Sequence, residues 1–246
     1  MARFFVPKTN LRDNRAFIDG RELAHLRRVL RLAPGDRITI FDDGGWEHEA
    51  VIRSLAAEQG ELEIIRSYQP GRESPLQLTL AVGLTKGEKI DFVVEKATEL
   101  GVQTIVPFTS SYTVPKLDDA KSIKRAERWQ KIALSAAKQC GRTRAPEIKP
   151  LREYRQLVDE AWPQALKLLF WEKEKSRSLH QVHEQQRDVN AVLIVVGPEG
   201  GFTPEEAELA QRQGFEPVEI GRRILRAETA TVSVITLVQF LWGDLR

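Results

Sequence analysis

The spacing of apolar and polar residues changes once along this chain, near residue 70. Before it, Arg37–Phe41, Trp46–Arg53 and Glu61–Tyr68 are short β-prone runs separated by PGD, DDGG and EQG. Runs of this kind bounded by glycine turns predict strands, and several in succession predict a small barrel. One helix interrupts them over Arg21–Arg31, where Leu23, Leu26 and Leu30 are spaced to face a core. The segment QPGRESP, Gln69–Pro75, is rich in proline, glycine and charge and reads as a linker. The expected division is a barrel domain over 1–72 and a second domain over 73–246.

After the linker, strand and helix patterns alternate. Leu76–Leu84, Val102–Phe108, Ala165–Trp171, Ala191–Val196 and Phe215–Ile220 predict strands. Glu88–Leu100, Ala120–Gln139, Pro204–Gln213 and Ala227–Trp242 predict helices, with a further short one after Trp171. Such alternation predicts a mostly parallel α/β sheet covered on both faces. The last helix is apolar on more than one side, which calls for burial on several sides, a dimer among the ways to supply it.

Composition narrows the class. With 246 residues, 41% hydrophobic and 29% charged, the chain is globular and large enough for a buried core. A single cysteine, Cys140, excludes an internal disulfide and points to a reducing compartment. MARFFVPKTNLR lacks the apolar core of a signal peptide and no apolar run approaches a membrane span, so the expectation is a cytoplasmic protein without a membrane partner. Net charge is only +2, but from Lys116 to Lys149 ten Lys/Arg stand against four Asp/Glu, while residues 1–73 hold twelve of each sign. A solvated helix face accounts for that cluster, and so does attraction to a polyanion.

Four stretches carry candidate chemistry. GPEGG, Gly197–Gly201, follows the apolar strand LIVV and precedes a helix opened by Thr203, Pro204 and Glu206, which suit a cap, the first helical position and a capping box. Its glycines permit a sharp turn and close approach to a ligand at the carboxyl end of a parallel strand, although a purely structural turn fits the same pattern. It is neither a phosphate loop nor a dinucleotide fingerprint, and Glu219, about where the latter keeps its ribose acid, follows the wrong glycine spacing. IGRRILRAETA, Ile220–Ala230, crowds Arg222, Arg223 and Arg226 against a helix start where Glu228 suits the positive end and arginine does not, so an anionic partner is one reason for them. In KQCGRTRAPEI, Lys138–Ile148, Gly141 stops the basic helix, whose stripe is Ile123, Ala126, Ile132, Ala133 and Ala136, and leaves Arg142 and Arg144 in an exposed loop; Cys140 reads as a small buried residue. In HLRRVLR, His25–Arg31, Arg27, Arg28 and Arg31 lie opposite the leucines, on a solvated face or a phosphate-binding one. His180 and His183 lack the further ligands a metal site needs, so none is expected.

VVGPEGGFTPEE, IGRRILRAETA and KQCGRTRAPEI, together with KGEKIDFVVEKATELGV and HLRRVLRLAPGD, resemble the RsmE family of bacterial 16S ribosomal RNA (uracil-N3) methyltransferases over nearly the whole chain. The resemblance implies a PUA-like β-barrel and a SPOUT α/β domain with a trefoil knot, a homodimer, S-adenosyl-L-methionine as cofactor, and uridine 1498 of 16S rRNA, within the assembled 30S subunit, as target. It implies a donor pocket from three loops holding Leu169, Phe170 and Glu172, then Val196, Gly197, Pro198, Glu199, Gly200 and Gly201, then Ile220, Gly221, Leu225, Thr229 and Ala230. Arg226 and Glu228 are the expected catalytic pair. Arg3, Arg27, Arg28, Arg31, Gln139, Arg142, Arg144, Arg222 and Arg223 are the expected RNA contacts. A ribose 2′-hydroxyl methyltransferase and a non-catalytic RNA-binding assembly factor are the rival readings.

Overall fold

A computed structural model describes residues 2–114 and 118–245. Lys116, counted above in the basic cluster, lies outside the described residues. The chain divides into two units, Met1–Glu73 with Ala137–Ala145, and Ser74–Ala136 with Pro146–Arg246.

In the first unit β1 (Arg3–Phe5), β2 (Leu11–Arg12), β3 (Arg15–Asp19), β4 (Arg37–Phe41), β5 (Glu47–Leu55) and β6 (Gln59–Tyr68) form one sheet in the order β1-β4-β5-β6-β3-β2. Only β1–β4 is parallel, and among the described residues the pairing does not close into a cylinder. Alternate residues of β3, β4, β5 and β6 turn inward, so Ile18, Ile38, Ile40, Ile52 and Leu62 bury against Phe4 and Leu26. The helix α1 (Gly20–Ala24) widens into a π turn over His25–Val29, where the Leu30 N–H reaches His25 O. That wider turn moves the following residues off the predicted face. Leu30 is 41% exposed, Leu32 packs on the core in its place, and Arg31 falls outside the helix with φ +53°.

The second unit is a parallel sheet. Its order is β10-β8-β7-β12-β11-β13, with β9 also on β8: β7 (Gln77–Gly83), β8 (Thr104–Thr109), β9 (Glu147–Ile148), β10 (Arg152–Glu153), β11 (Leu166–Phe170), β12 (Ala191–Val196) and β13 (Glu216–Val218). The helices are α2 (Lys89–Glu99), α3 (Asp119–Cys140), α4 (Tyr154–Asp159), α5 (Leu179–Gln185), α6 (Pro204–Arg212) and α7 (Ala227–Trp242). The last turn of α3 counts with the first unit. Central strands are apolar on both faces, and Leu193, Val195, Phe108, Phe202 and Tyr154 share one core. On α3 the buried face is Trp129, Ala133, Ala136 and Ala137; Ile123, assigned to that face, is exposed because the buried row starts further along the helix. Among the described residues no helix is long and apolar enough to cross a membrane.

Candidate active site

Strands β11, β12 and β13 run parallel and end level, with Phe170 beside Val196 and Val218. The loops leaving those ends enclose a cavity of about 540 Å³. Pro198 O accepts the Gly201 N–H at 2.9 Å, closing a tight turn that Gly201 completes at φ +67°. A Cβ on Gly201 would lie 2.5 Å from the Glu172 carboxylate, and one on Gly200 2.5 Å from Tyr112. Across the sheet, a Cβ on Gly83 would lie 2.5 Å from Pro198. The corner is therefore close-packed, with Gly83 against Pro198 and Gly200 against the Tyr112 side chain. Behind it Thr203 accepts from the Glu206 N–H and Glu206 accepts from the Thr203 N–H, the reciprocal cap that starts α6. Glu206 also takes the Ser111 N–H and hydroxyl at 2.8 and 2.9 Å, fixing the Ser110–Thr113 turn that carries Tyr112.

Charge gathers at one edge. The Glu199 carboxylate accepts from Lys89 Nζ at 2.9 Å and the Lys86 N–H at 3.2 Å. Burial pushes its pKa up, but Lys89 and the N–H groups outweigh that, so it lies below the usual carboxylate range. The Glu199 hydrogen bond in turn raises Lys89. Lys89 Nζ is also 3.8 Å from Glu228 Oε2, a buried oxygen that among the described residues lacks a hydrogen-bond partner.

Of the residues assigned to a donor pocket, Phe170, Glu172, Val196, Gly197–Gly201, Ile220, Gly221, Leu225 and Ala230 line the cavity. Leu169 is buried in the core and Thr229 is exposed away from the lining. Arg222, Arg223 and Arg226 line it too, while Glu228 stands behind Lys89.

The first unit holds the other expected RNA contacts, and two need correcting. Arg3 is not a free surface cation: its guanidinium bonds Glu47 at 2.7 Å and the carbonyls of Ala137, Lys138 and Arg142, lies 4.0 Å over Phe41, and is 12% exposed. Arg142, expected in an exposed loop, is 4% exposed and holds Glu73 through Nε and Nη2 at 3.0 and 2.8 Å. Both arginines tie the 137–145 segment into its unit, where guanidinium–carboxylate geometry is worth most. Gln139, Arg144, Arg27, Arg28 and Arg31 are exposed, with Arg27 donating to Ala56 O at 2.9 Å. Cys140, expected to be buried, is half-buried.

Residues 72–239 match the RNA methyltransferase domain model and residues 18–65 the RNA methyltransferase PUA domain model. A Bacillus subtilis protein named ribosomal RNA small subunit methyltransferase E is 30% identical over 98% of this chain and 96% of its own length. The chain belongs to the ribosomal RNA small subunit methyltransferase E family. Within that family, the Neisseria gonorrhoeae enzyme, solved bound to S-adenosyl methionine, is 34% identical and superimposes over all of both chains with a TM-score of 0.89. A Legionella pneumophila methyltransferase structure in complex with bound SAM is 32% identical over 99% of this chain and 98% of its own, with a TM-score of 0.90. The fold is accordingly an α/β methyltransferase unit joined to a PUA unit.

Trp171 and Ile224, inside the expected loops Leu169–Glu172 and Ile220–Ala230, line the cavity too, as do Lys89, which the sequence reading did not name, and Glu219. Lys89 had a readable signal. It is the first residue of α2, where a cation opposes the helix dipole as the arginines before α7 do. Glu219, set aside on glycine spacing, reaches the cavity because it follows β13 directly. Gly83 carried no local signal, since its constraint is Pro198, far away in sequence.

Proposed function

We propose that this chain methylates N3 of uridine 1498 in 16S rRNA, with S-adenosylmethionine as methyl donor. The observation that carries the reading is the cavity at the carboxyl ends of β11, β12 and β13, walled by glycine main chain and edged by arginines. A Cβ at Gly200 would lie 2.5 Å from the Tyr112 Cβ, and Gly201 sits at φ +67°, so the loop keeps its shape only with glycine at these two positions. Glu172 and Glu219 suit a cationic sulfur, while Glu199 is already paired with Lys89, and the Gly197–Gly201 loop itself holds no lysine of the phosphate-loop kind.

When bound, the donor supplies a methyl group on a cationic sulfur, which keeps the electron pair of the broken C–S bond. Uracil N3 carries a proton at neutral pH and lies on the pairing edge, so the base must be unpaired and deprotonated as N3 bonds to the methyl carbon. Glu228 is the proposed proton acceptor, its Oε2 being buried 3.8 Å from Lys89 Nζ with no hydrogen-bond partner among the described residues. Arg226, at the cavity edge, opposes the negative charge that develops on the uracil oxygens. The cavity walls hold donor and base in line, which supplies much of the rate.

The remaining parts follow the same reading. The first unit acts as a PUA-like RNA-holding domain and the second as the catalytic SPOUT domain. Its last segments thread a trefoil knot, a rare topology; in support, β12 lies between β7 and β11, and α7, after the edge strand β13, packs back on α2 and β12. Phe92 on α2 and Leu237 and Phe240 on α7 are exposed apolar residues suited to a second copy of the chain. The substrate is the assembled 30S subunit in the cytoplasm.

Incubation with labelled S-adenosylmethionine and undermethylated small subunits should yield 3-methyluridine by mass spectrometry. Label on a ribose hydroxyl would overturn the reading. Arg226→Ala should cut turnover about 10²–10³-fold with RNA affinity kept; full turnover with only RNA affinity lost would sink its electrostatic role.

A further inference from the structure

We propose that Trp46 and Arg144, in the first unit, form a separate contact for an unpaired stretch of RNA, a base stacking on the indole and a phosphate meeting the guanidinium, with Glu73 holding the contact in shape. The proposal rests on the reading that the substrate is RNA.

Two segments far apart in sequence meet here. The first is the turn DDGGW. Buried Asp42 accepts the N–H groups of Gly44 and Trp46, each at 2.9 Å, and its own N–H reaches Trp46 O at 3.1 Å. That turn is fully tied, yet it ends on a tryptophan that is 41% exposed. The second is the 142–144 segment. Arg144 donates through Nη2 to Gly44 O at 3.2 Å, and a Cβ on Gly45 would lie 3.2 Å from its Nε. Gly45, at φ +90°, therefore meets two demands, the turn and the guanidinium packed on it.

Arg144 itself stays exposed, and among the described residues no carboxylate lies within ion-pair distance of it. Its guanidinium is placed by a neutral carbonyl, which leaves its charge unneutralised. Its main chain is placed by Glu73, whose Oε1 accepts the N–H groups of Thr143 and Arg144 at 2.9 and 3.1 Å while Oε2 holds Arg142. An exposed indole directly after the glycine on which an unneutralised arginine packs matches what an unpaired nucleotide offers: a flat base and an anionic phosphate.

The consequence for Glu73 has an unusual sign. Removing an acid from an RNA-facing surface ordinarily strengthens binding. Here Glu73→Gln should weaken it, because the acid holds the segment that presents Arg144.

The test is anisotropy titration of the full-length protein with a labelled single-stranded rRNA fragment over a range of salt, with calorimetric S-adenosylmethionine binding alongside. Trp46→Ala should weaken RNA binding about tenfold, with the salt slope unchanged, and Trp46→Tyr should recover most of the loss. Arg144→Ala should weaken binding and lower the slope of log K against log salt by about one. Donor affinity should stay at the wild-type value in each. Wild-type RNA affinity in both Trp46→Ala and Arg144→Ala would overturn the proposal, even with methylation intact, and would assign Trp46 to another class of partner. Tighter RNA binding by Glu73→Gln, with an unchanged melting temperature, would overturn the part given to Glu73. Should Glu73→Gln fail to fold, the Trp46 pair still decides. A wild-type protein that binds donor but no RNA would instead fall on the methyltransferase reading, and the proposal with it.

Discussion

The cavity and the 137–145 clasp solve the same problem, holding a loop still, with opposite materials. Around the cavity the loops are fixed by bare main chain: Gly83 under Pro198, Gly200 against Tyr112, Gly201 against Glu172. In the clasp, side-chain charge does the holding, with Arg3 on Glu47 and Arg142 on Glu73, each at least half-buried. A backbone wall fits its neighbour at van der Waals distance and tolerates no added atom. An ion-pair clasp tolerates shape changes but not the loss of one charge, since the other is left in a poorly solvated site. The two regions should therefore fail under different substitutions.

The largest effect is expected at the backbone wall. Gly83→Val sets a side chain where Pro198 ring and nitrogen lie 2.5 Å away, and it should cost about 1–3 kcal/mol of stability and at least about 100-fold in S-adenosylmethionine affinity. Calorimetric titration and a thermal melt check both; unchanged donor affinity would mean the loop has room that the packing denies. Next comes the clasp. Arg3→Ala should destabilise the first unit by about 1–3 kcal/mol, read by urea unfolding, because the cation left to buried Glu47 is then the half-exposed Arg72 at 3.4 Å. Were Arg3 instead a phosphate contact, stability would hold and the salt slope of RNA binding would fall. A smaller effect is expected from Lys89→Met. Lys89 is about a third exposed, so solvent screens its pair with Glu199, and removing it should lower donor affinity only about threefold; a hundredfold loss would make the ammonium part of the chemistry.

The smallest effect concerns pH. Burial lowers the pKa of His48 below its ordinary 6.5, with the Asp42 carboxylate opposing. A depressed value means the unfolded chain binds the proton more readily. The stability His48 contributes is therefore full above pH 6.5 and is lost as pH falls through the folded value. His48→Gln should flatten the acid side of the first unit's stability curve, and an unaltered curve would remove His48 as its cause.

What could be read from sequence follows the same division. Elements set by local pattern were legible: α7 spans Ala227–Trp242 as the apolar run predicts, and Thr203 with Glu206 caps α6 as their spacing requires. The glycines of the cavity loop were legible because missing side chains show in a sequence wherever their neighbours lie. Arg3 and Arg142 were misjudged because an arginine's role depends on which acid meets it, and Glu47 and Glu73 lie 44 and 69 positions away respectively. Leu30 was misplaced because nothing in HLRRVLR announces a π turn. Short elements such as β2, β9, β10 and α4 carry too few residues for a period to register.

Because Ala137–Ala145 belongs with Met1–Glu73, the first unit is built from two chain segments that a ribosome releases at different times. At about 5–20 residues per second, its sheet waits roughly 4–14 s for the piece whose carbonyls take up Arg3 and whose Arg142 pairs with Glu73. During that interval Arg3 and Glu47 can already pair, while Glu73 lacks Arg142. Folding during synthesis is thus completed from the middle of the chain backward, and a fragment cut after residue 73 would stay in that unfinished state.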